Sequence, residues 1–180
     1  SRPRLRFRDA GAGTGQDGSL IRLSWERDGT AADCGMKWLG IDYGLERTGV
    51  AACDPEGVLA YPLKPLRLAE FSGRKALLDA LADLALREGV GAAVMGLPLL
   101  DDGSDSLTTR QVRRVAERLK RRLSVPLYFM PEFLSSEEAW SDLREAGVRR
   151  SRRGAVLDQQ AAVRILQSFL ALSPDQRVPA

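Results

Sequence analysis

A chain of 180 residues with a net charge of +3 and no histidine has room for one domain with its own core. It lacks the imidazole on which serine- and cysteine-nucleophile systems and most zinc sites depend, and its two cysteines, Cys34 and Cys53, form neither a disulfide framework nor a Cys-x-x-Cys pair, so a reducing, cytoplasmic setting is expected. No apolar run approaches the ~20 residues of a membrane helix and the Arg-rich opening lacks the apolar core of a secretory signal, which leaves carboxylates, hydroxyls, lysine or a metal for any hydrolytic chemistry.

Residues 1–35 are rich in Gly, Arg and Asp, with Gly11, Gly13, Gly15 and Gly18 close together and only Ser19–Trp25 suited to a short strand. They are expected to be a flexible extension that packs little. Met36 stands directly before an apolar run and is a candidate natural start; an ordinary N-terminal extension is the alternative. Trp38–Tyr43 reads as a buried strand entering a turn at Asp42-Tyr43-Gly44. Gly49–Cys53 is a second strand, Asp54-Pro55-Glu56-Gly57 a hairpin turn, and Val58–Leu66 a third strand, confined to an edge by Pro62 and Pro65. Residues 71–88 carry apolar side chains at 77, 78, 81, 84 and 85, which is helical spacing, and Gly89 suits the helix end. Val90–Leu97 is a fourth strand, 105–123 a helix with Val112, Val115, Ala116, Leu119 and Leu123 inward, and Val125–Met130 a fifth strand. Ser135 or Ser136 caps a helix running through Ala146, a basic loop follows, and a final helix spans about Val156 to Leu172. Residues 173–180 are expected as a tail. A three-strand meander followed by alternating helix and strand predicts an α/β domain over 36–172, with a mixed five-stranded sheet and helices on both faces.

Three carboxylates stand out by position. Asp42 ends the first strand, Glu132 lies just past the fifth, and Asp158 opens the last helix. Strand ends beside a helix start converge in one crevice of a twisted sheet, and converging carboxylates repel unless a cation neutralises them. Oxygen donors suit a hard ion, Mg²⁺ or Mn²⁺, and two such ions activate water and stabilise a leaving oxygen in phosphoryl transfer. Taken singly, each residue also suits a structural role: a turn former, a solvated surface charge, a helix N-cap.

The run Gly40-Ile41-Asp42-Tyr43-Gly44 with Arg47-Thr48-Gly49-Val50-Ala51 resembles the first hairpin of the RNase H-like superfamily, where the strand-one aspartate is the central metal ligand. Gly96-Leu97-Pro98 with Asp102-Gly103-Ser104, and Asp158 with Ala161-Ala162, Ile165-Leu166-Gln167 and Leu170, resemble the YqgF/RuvX family of Holliday junction resolvases and pre-16S rRNA nucleases. The resemblance covers about Lys37 to Leu172. It implies an RNase H-like fold and a metal-dependent endonuclease, with Asp42, Glu132 and Asp158 as catalytic and metal-binding residues. It also implies two Mg²⁺ or Mn²⁺ ions, and products ending in 3′-hydroxyl and 5′-phosphate. The family's segment after strand five reads Asp-Glu-Arg-Leu; here it is Pro131-Glu132-Phe133-Leu134, so the flanking acid and arginine are absent. Phe133 suits either a loop anchor packed on the core or a stacking contact to a base.

Two basic clusters are expected to flank the site. Arg110, Arg114 and Arg118 recur every four residues opposite the apolar face of their helix, broadened by Arg113, Arg121 and Arg122. Arg149, Arg150, Arg152 and Arg153 lie between Gly147 and Gly154, a few residues before Asp158, as a phosphate clamp would. With Arg47 these are the candidate nucleic-acid contacts; each cluster also reads as a solvated face. The partner is a structured DNA junction or a precursor rRNA. A junction resolvase needs two sites related by two-fold symmetry, hence a homodimer, although no dimerisation face is legible. Gly40–Gly44 also looks like the phosphate loop of sugar-kinase or actin-like ATPases, but those need a duplicated lobe and the chain has no repeat. A non-catalytic nucleic-acid-binding or ribosome-assembly factor with the same fold is the other alternative.

Overall fold

The computed structural model describes residues 35–134 and 154–180, with the side chains of 134 and 154–159 outside the description. The expected helix from Ser135 to Ala146, the basic loop and residues 1–34 lie outside the described residues.

One sheet organises the described chain. Its strands are β1 (Trp38–Tyr43), β2 (Arg47–Cys53), β3 (Ala60–Pro62), β4 (Leu66–Arg67), β5 (Ala92–Leu100), β6 (Leu127–Leu134) and β7 (Val178–Pro179), in the order β3-β2-β1-β5-β6-β7 with β4 also on β2. β1 runs antiparallel to β2 and parallel to β5, β5 runs parallel to β6, and β7 closes antiparallel on β6. The helices are α1 (Arg74–Glu88), α2 (Leu107–Lys120) and α3 (Gly154–Leu170). The mixed sheet with helices on both faces is the architecture expected from the order of elements.

Pleating divides the core in two. Leu39, Ile41, Met95, Leu97, Leu127 and Phe129 point to the face covered by α1 and α2, meeting Leu77, Leu81, Val112 and Leu119. Trp38, Ala51, Cys53 and Val94 point to the other face, against Ala162, Ile165, Leu166 and Phe169 of α3. Each large apolar side chain so buried contributes about 1.5–3 kcal/mol. Trp38, Tyr128 and Phe169 form an aromatic trio with ring centroids 5.0–5.6 Å apart, fixing the later turns of α3 to the sheet.

The sheet gains two strands over the expected five, for identifiable reasons. The apolar stretch 58–66 divides, because Pro62 and Pro65 offer no N–H to a ladder. β3 stops at Pro62, and β4 rejoins β2 nearer its start, at Thr48 and Arg47. Val58 and Leu59 are left out of the strand, their N–H groups donating to the Asp54 carboxylate in the 54–57 turn. Residues 173–180, expected as a tail, carry a 3-10 turn at Pro174–Gln176 and then β7. The Arg177 guanidinium stacks 5.2 Å from the Trp38 ring and 5.0 Å from Phe169, and the Ala180 N–H donates to the Leu127 carbonyl. A two-residue strand leaves no alternation to read.

The remaining differences sit at element ends. Gly89 takes a left-handed conformation at φ 63° and ends α1 as expected, while the helix starts at Arg74, after a 3-10 turn at Leu68–Glu70. β6 runs four residues beyond Met130, so Glu132 lies within a strand. Pro131 is tolerated there because β7 covers only Tyr128 and Phe129, leaving the later part of β6 an edge among the described residues.

α2 is anchored where β5 ends. Ser106 caps it through a reciprocal box with Thr109, and the Thr109 hydroxyl donates to the Pro98 carbonyl. Thr109 is fully buried. Thr109→Val keeps the shape but strands the Pro98 carbonyl and the Ser106 N–H, and is expected to cost roughly 1–3 kcal/mol. A lower denaturant midpoint at unchanged slope would show it; an unchanged midpoint would mean that the anchor carries no stability.

Candidate active site

Along β1, Trp38 and Gly40 face α3, while Leu39 and Ile41 face the opposite core. Strict alternation therefore sends Asp42 to the α3 face. Its strand partner on β2 is Gly49. On the other side, the β1–β5 register pairs Ile41 with Met95, so Asp42 lies beside Gly96.

Glu132 reaches the same glycine from β6. It pairs with Pro98, and its Oε2 lies 2.8 Å from the point where a Cβ on Gly96 would stand. That point is also 2.6 Å from Ile165 Cδ1 of α3, which puts the Glu132 carboxylate on the α3 face. Asp42 and Glu132 thus border Gly96 from the two strands flanking β5, with backbones two strand spacings apart, about 10 Å.

Residue 158 lies in α3, four residues before Ala162. A Cβ on Gly40 would be 2.8 Å from the Ala162 carbonyl oxygen, so α3 passes directly over β1. The Asp158 side chain is outside the described residues. Among the described residues no three carboxylates or thiols gather into a metal cage.

Both strand carboxylates are half-buried. Burial pushes the Glu132 carboxyl above the ordinary range, and the charge of Arg164 on α3 offsets this in part. Burial of this kind disfavours the charged form, and either a proton or a nearby cation relieves it.

The basic residues separate. Arg47 begins β2 at the turn where the Gly44 N–H donates to the Arg47 carbonyl at 3.0 Å. The alternation of Ala51 and Cys53 toward α3 puts Arg47 on the same face as Asp42. Arg110, Arg114 and Arg118 are exposed on α2, which packs on the opposite face. The α2 stripe therefore does not share a face with the carboxylates, contrary to the expectation that it flanks them. Two of its broader members serve structure: Arg113 bonds Asp105 and lies 5.6 Å from the Phe129 ring centre, and Arg122 bonds Asp79 at 2.6 Å. Arg149, Arg150, Arg152 and Arg153 lie outside the described residues. Phe133 is 64% exposed, so it is not a loop anchor packed on the core.

Sequence reasoning missed Gly96 as the floor of the site, Thr109 as the brace behind Pro98, and Arg164 as the nearby positive charge. Gly96 had a legible signal as the first residue of the Gly96-Leu97-Pro98 run, and Arg164 as a basic residue beside the apolar stripe of the last helix.

The chain is also similar to known proteins. A family model described as "RuvX: Holliday junction resolvase" matches residues 36–172. A protein of Nitratidesulfovibrio vulgaris (strain DSM 19637 / Miyazaki F) named "Putative pre-16S rRNA nuclease" is 54% identical over 145 residues, 81% of this chain and 100% of the relative. One of the same name from Oleidesulfovibrio alaskensis (strain ATCC BAA-1058 / DSM 17464 / G20) is 50% identical over 144 residues, 80% of this chain and 98% of the relative. Among solved structures, Thermus thermophilus RuvC aligns with a TM-score of 0.50 at 14% identity, covering 81% of this chain and 100% of that one, a likeness of fold alone. With a family match that spans the sheet through β6 and the three described helices, the chain belongs to the RuvX family.

Proposed function

We propose that this chain is a divalent-metal-dependent endonuclease that hydrolyses phosphodiester bonds in a structured nucleic acid. The observation that carries the reading is the placement of the Glu132 carboxylate over Gly96, on the face and at the level of Asp42. Asp158, four residues ahead of the α3 turn that crosses β1, is the third member of the acidic set. The donor set fits Mg²⁺ or Mn²⁺, since all three side chains are carboxylates, hard oxygen donors. When bound, such ions supply Lewis acidity at the attacking water and the leaving oxygen.

The chain's own groups do the rest. Asp42 and Glu132 would hold such an ion from rigid β-strands, which position a reacting group more precisely than loops would. Arg47, on the same face, offers a guanidinium to a phosphate. Arg149, Arg150, Arg152 and Arg153 supply a clamp that positions the strand. A four-way junction cut symmetrically needs two such sites, and so a homodimer. Among the described residues no helix is long and apolar enough to cross a membrane, and a nucleic-acid substrate puts the work in the cytoplasm.

The family description names a junction resolvase and the curated relatives carry a pre-rRNA name, so the test uses both substrates. The full chain is expected to cleave a four-way DNA junction or a precursor of 16S rRNA with Mg²⁺ or Mn²⁺. Cleavage should stop on chelation and return when the metal is restored. Tight binding to either substrate with no cleavage under any metal condition would replace the nuclease reading with the assembly-factor one, the alternative that the Pro131 and Phe133 departures raise.

A further inference from the structure

A single exposed apolar side chain is ordinary on a protein surface. Phe133 differs in its setting. It is 64% exposed on a backbone held in the β5–β6 ladder, where it pairs with Leu99, so the ring projects from a fixed point. It directly follows Glu132, and alternation sends it to the opposite face of the sheet, the face of Leu127 and Phe129. Substrate crossing the end of the sheet from the Glu132 side arrives at Phe133 next; the two Cα atoms are ~3.8 Å apart.

The surroundings match that path. α2 overlies this face of β6, as the stacking of Arg113 on Phe129 shows. The helix is pinned at its beginning to Pro98, one residue from the partner of Phe133, so its first turns lie at the Phe133 end of the sheet. Leu107, which opens α2, is 63% exposed. The Arg110 and Arg114 side chains are exposed, with no hydrogen bond or ion pair among the described residues. An exposed aromatic ring and an exposed leucine at this end of the sheet, with two exposed guanidinium groups farther along α2 that have no side-chain partner among the described residues, suit an apolar base face flanked by phosphates.

We propose that Phe133 stacks against an unpaired nucleobase near the cleaved phosphate, with Arg110 and Arg114 holding the phosphates beyond it. This rests on the nuclease reading above and adds what that reading lacks, a preference for unpaired bases. It also gives the α2 stripe a role on the face away from the carboxylates.

The test compares two probes with metal chelated so that no strand is cut: a plain DNA duplex, and the same duplex with a short single-stranded gap containing 2-aminopurine. The wild-type chain is expected to bind the gapped probe more tightly and to quench its fluorescence. Phe133→Ala should weaken gapped-probe binding by roughly 5- to 150-fold and abolish the quench, while duplex affinity changes less than about 2-fold. Phe133→Trp should restore both signals, and Phe133→Leu should restore neither. The side chain is largely in water, so an unchanged melting temperature is expected for all three variants. Equal gapped-probe affinity for wild type and Phe133→Ala overturns the proposal, as does full rescue by leucine, which would mark a general apolar contact such as a protein-docking patch. Either result leaves the nuclease reading standing if wild type still cleaves. A wild-type chain that binds neither probe and cleaves neither substrate removes both.

Discussion

Asp42→Asn is expected to reduce strand cleavage by at least about 100-fold at saturating Mg²⁺, with the melting temperature close to that of wild type. The substitution keeps the size of the side chain and its capacity to accept hydrogen bonds, so β1 and its ladders to β2 and β5 are undisturbed. What it removes is one negative charge at the position that borders Gly96 opposite Glu132. A hard cation is held mainly by such charges, and loss of a single preorganised group that stabilises transition-state charge costs on the order of 10²–10³ in rate. Raising Mn²⁺ should recover part of the rate if the defect is weakened metal binding. Wild-type cleavage by Asp42→Asn, with circular dichroism confirming the fold, would remove Asp42 from the chemistry.

The sequence carries the element order well because the buried strands and helices have strong periods. Asp42 is legible for a further reason: a charged residue ending the apolar run Trp38–Ile41 has to be explained by a turn or by a site. What is less legible depends on which elements meet. The helical stripe of Arg110, Arg114 and Arg118 is plain in the spacing, yet spacing does not say which sheet face α2 covers. Pro131 suggests a strand end, and only the short reach of β7 shows why β6 continues through it to Phe133. β7 pairs with β6 beside Arg177, which stacks on Trp38 and Phe169, residues far apart in sequence. Gly40 and Gly96 stand in the motif runs, yet the close approach each permits shows only when α3 is laid over them.

Those two glycines give the other large effect, and they separate stability from activity. A Cβ at Gly40 would stand 2.8 Å from both the Ala162 carbonyl oxygen and Leu166 Cβ. One is helix backbone and the other the root of a side chain, so neither yields without moving α3 away from β1. Gly40→Ala is therefore expected to cost about 1–3 kcal/mol, the usual penalty of overpacking, and to lower the denaturant midpoint accordingly. At Gly96 the close atoms are Ile165 Cδ1 at 2.6 Å and Glu132 Oε2 at 2.8 Å, both at the free ends of rotatable side chains. Ile165 and Glu132 turn aside at a cost of about 0.5–1.5 kcal/mol if either leaves its rotamer well. The new methyl group then occupies the place where the Glu132 carboxylate rests. Gly96→Ala should thus lose less stability than Gly40→Ala but more activity, with cleavage down at least about 10-fold and a higher Mg²⁺ concentration needed for half-maximal rate, since misplacement of a catalytic group by an ångström costs up to about 10² in rate. The ordering is the test. A Gly96→Ala chain that cleaves at the wild-type rate with the wild-type Mg²⁺ requirement would show that Glu132 does not act from its place over Gly96, whatever Asp42 does.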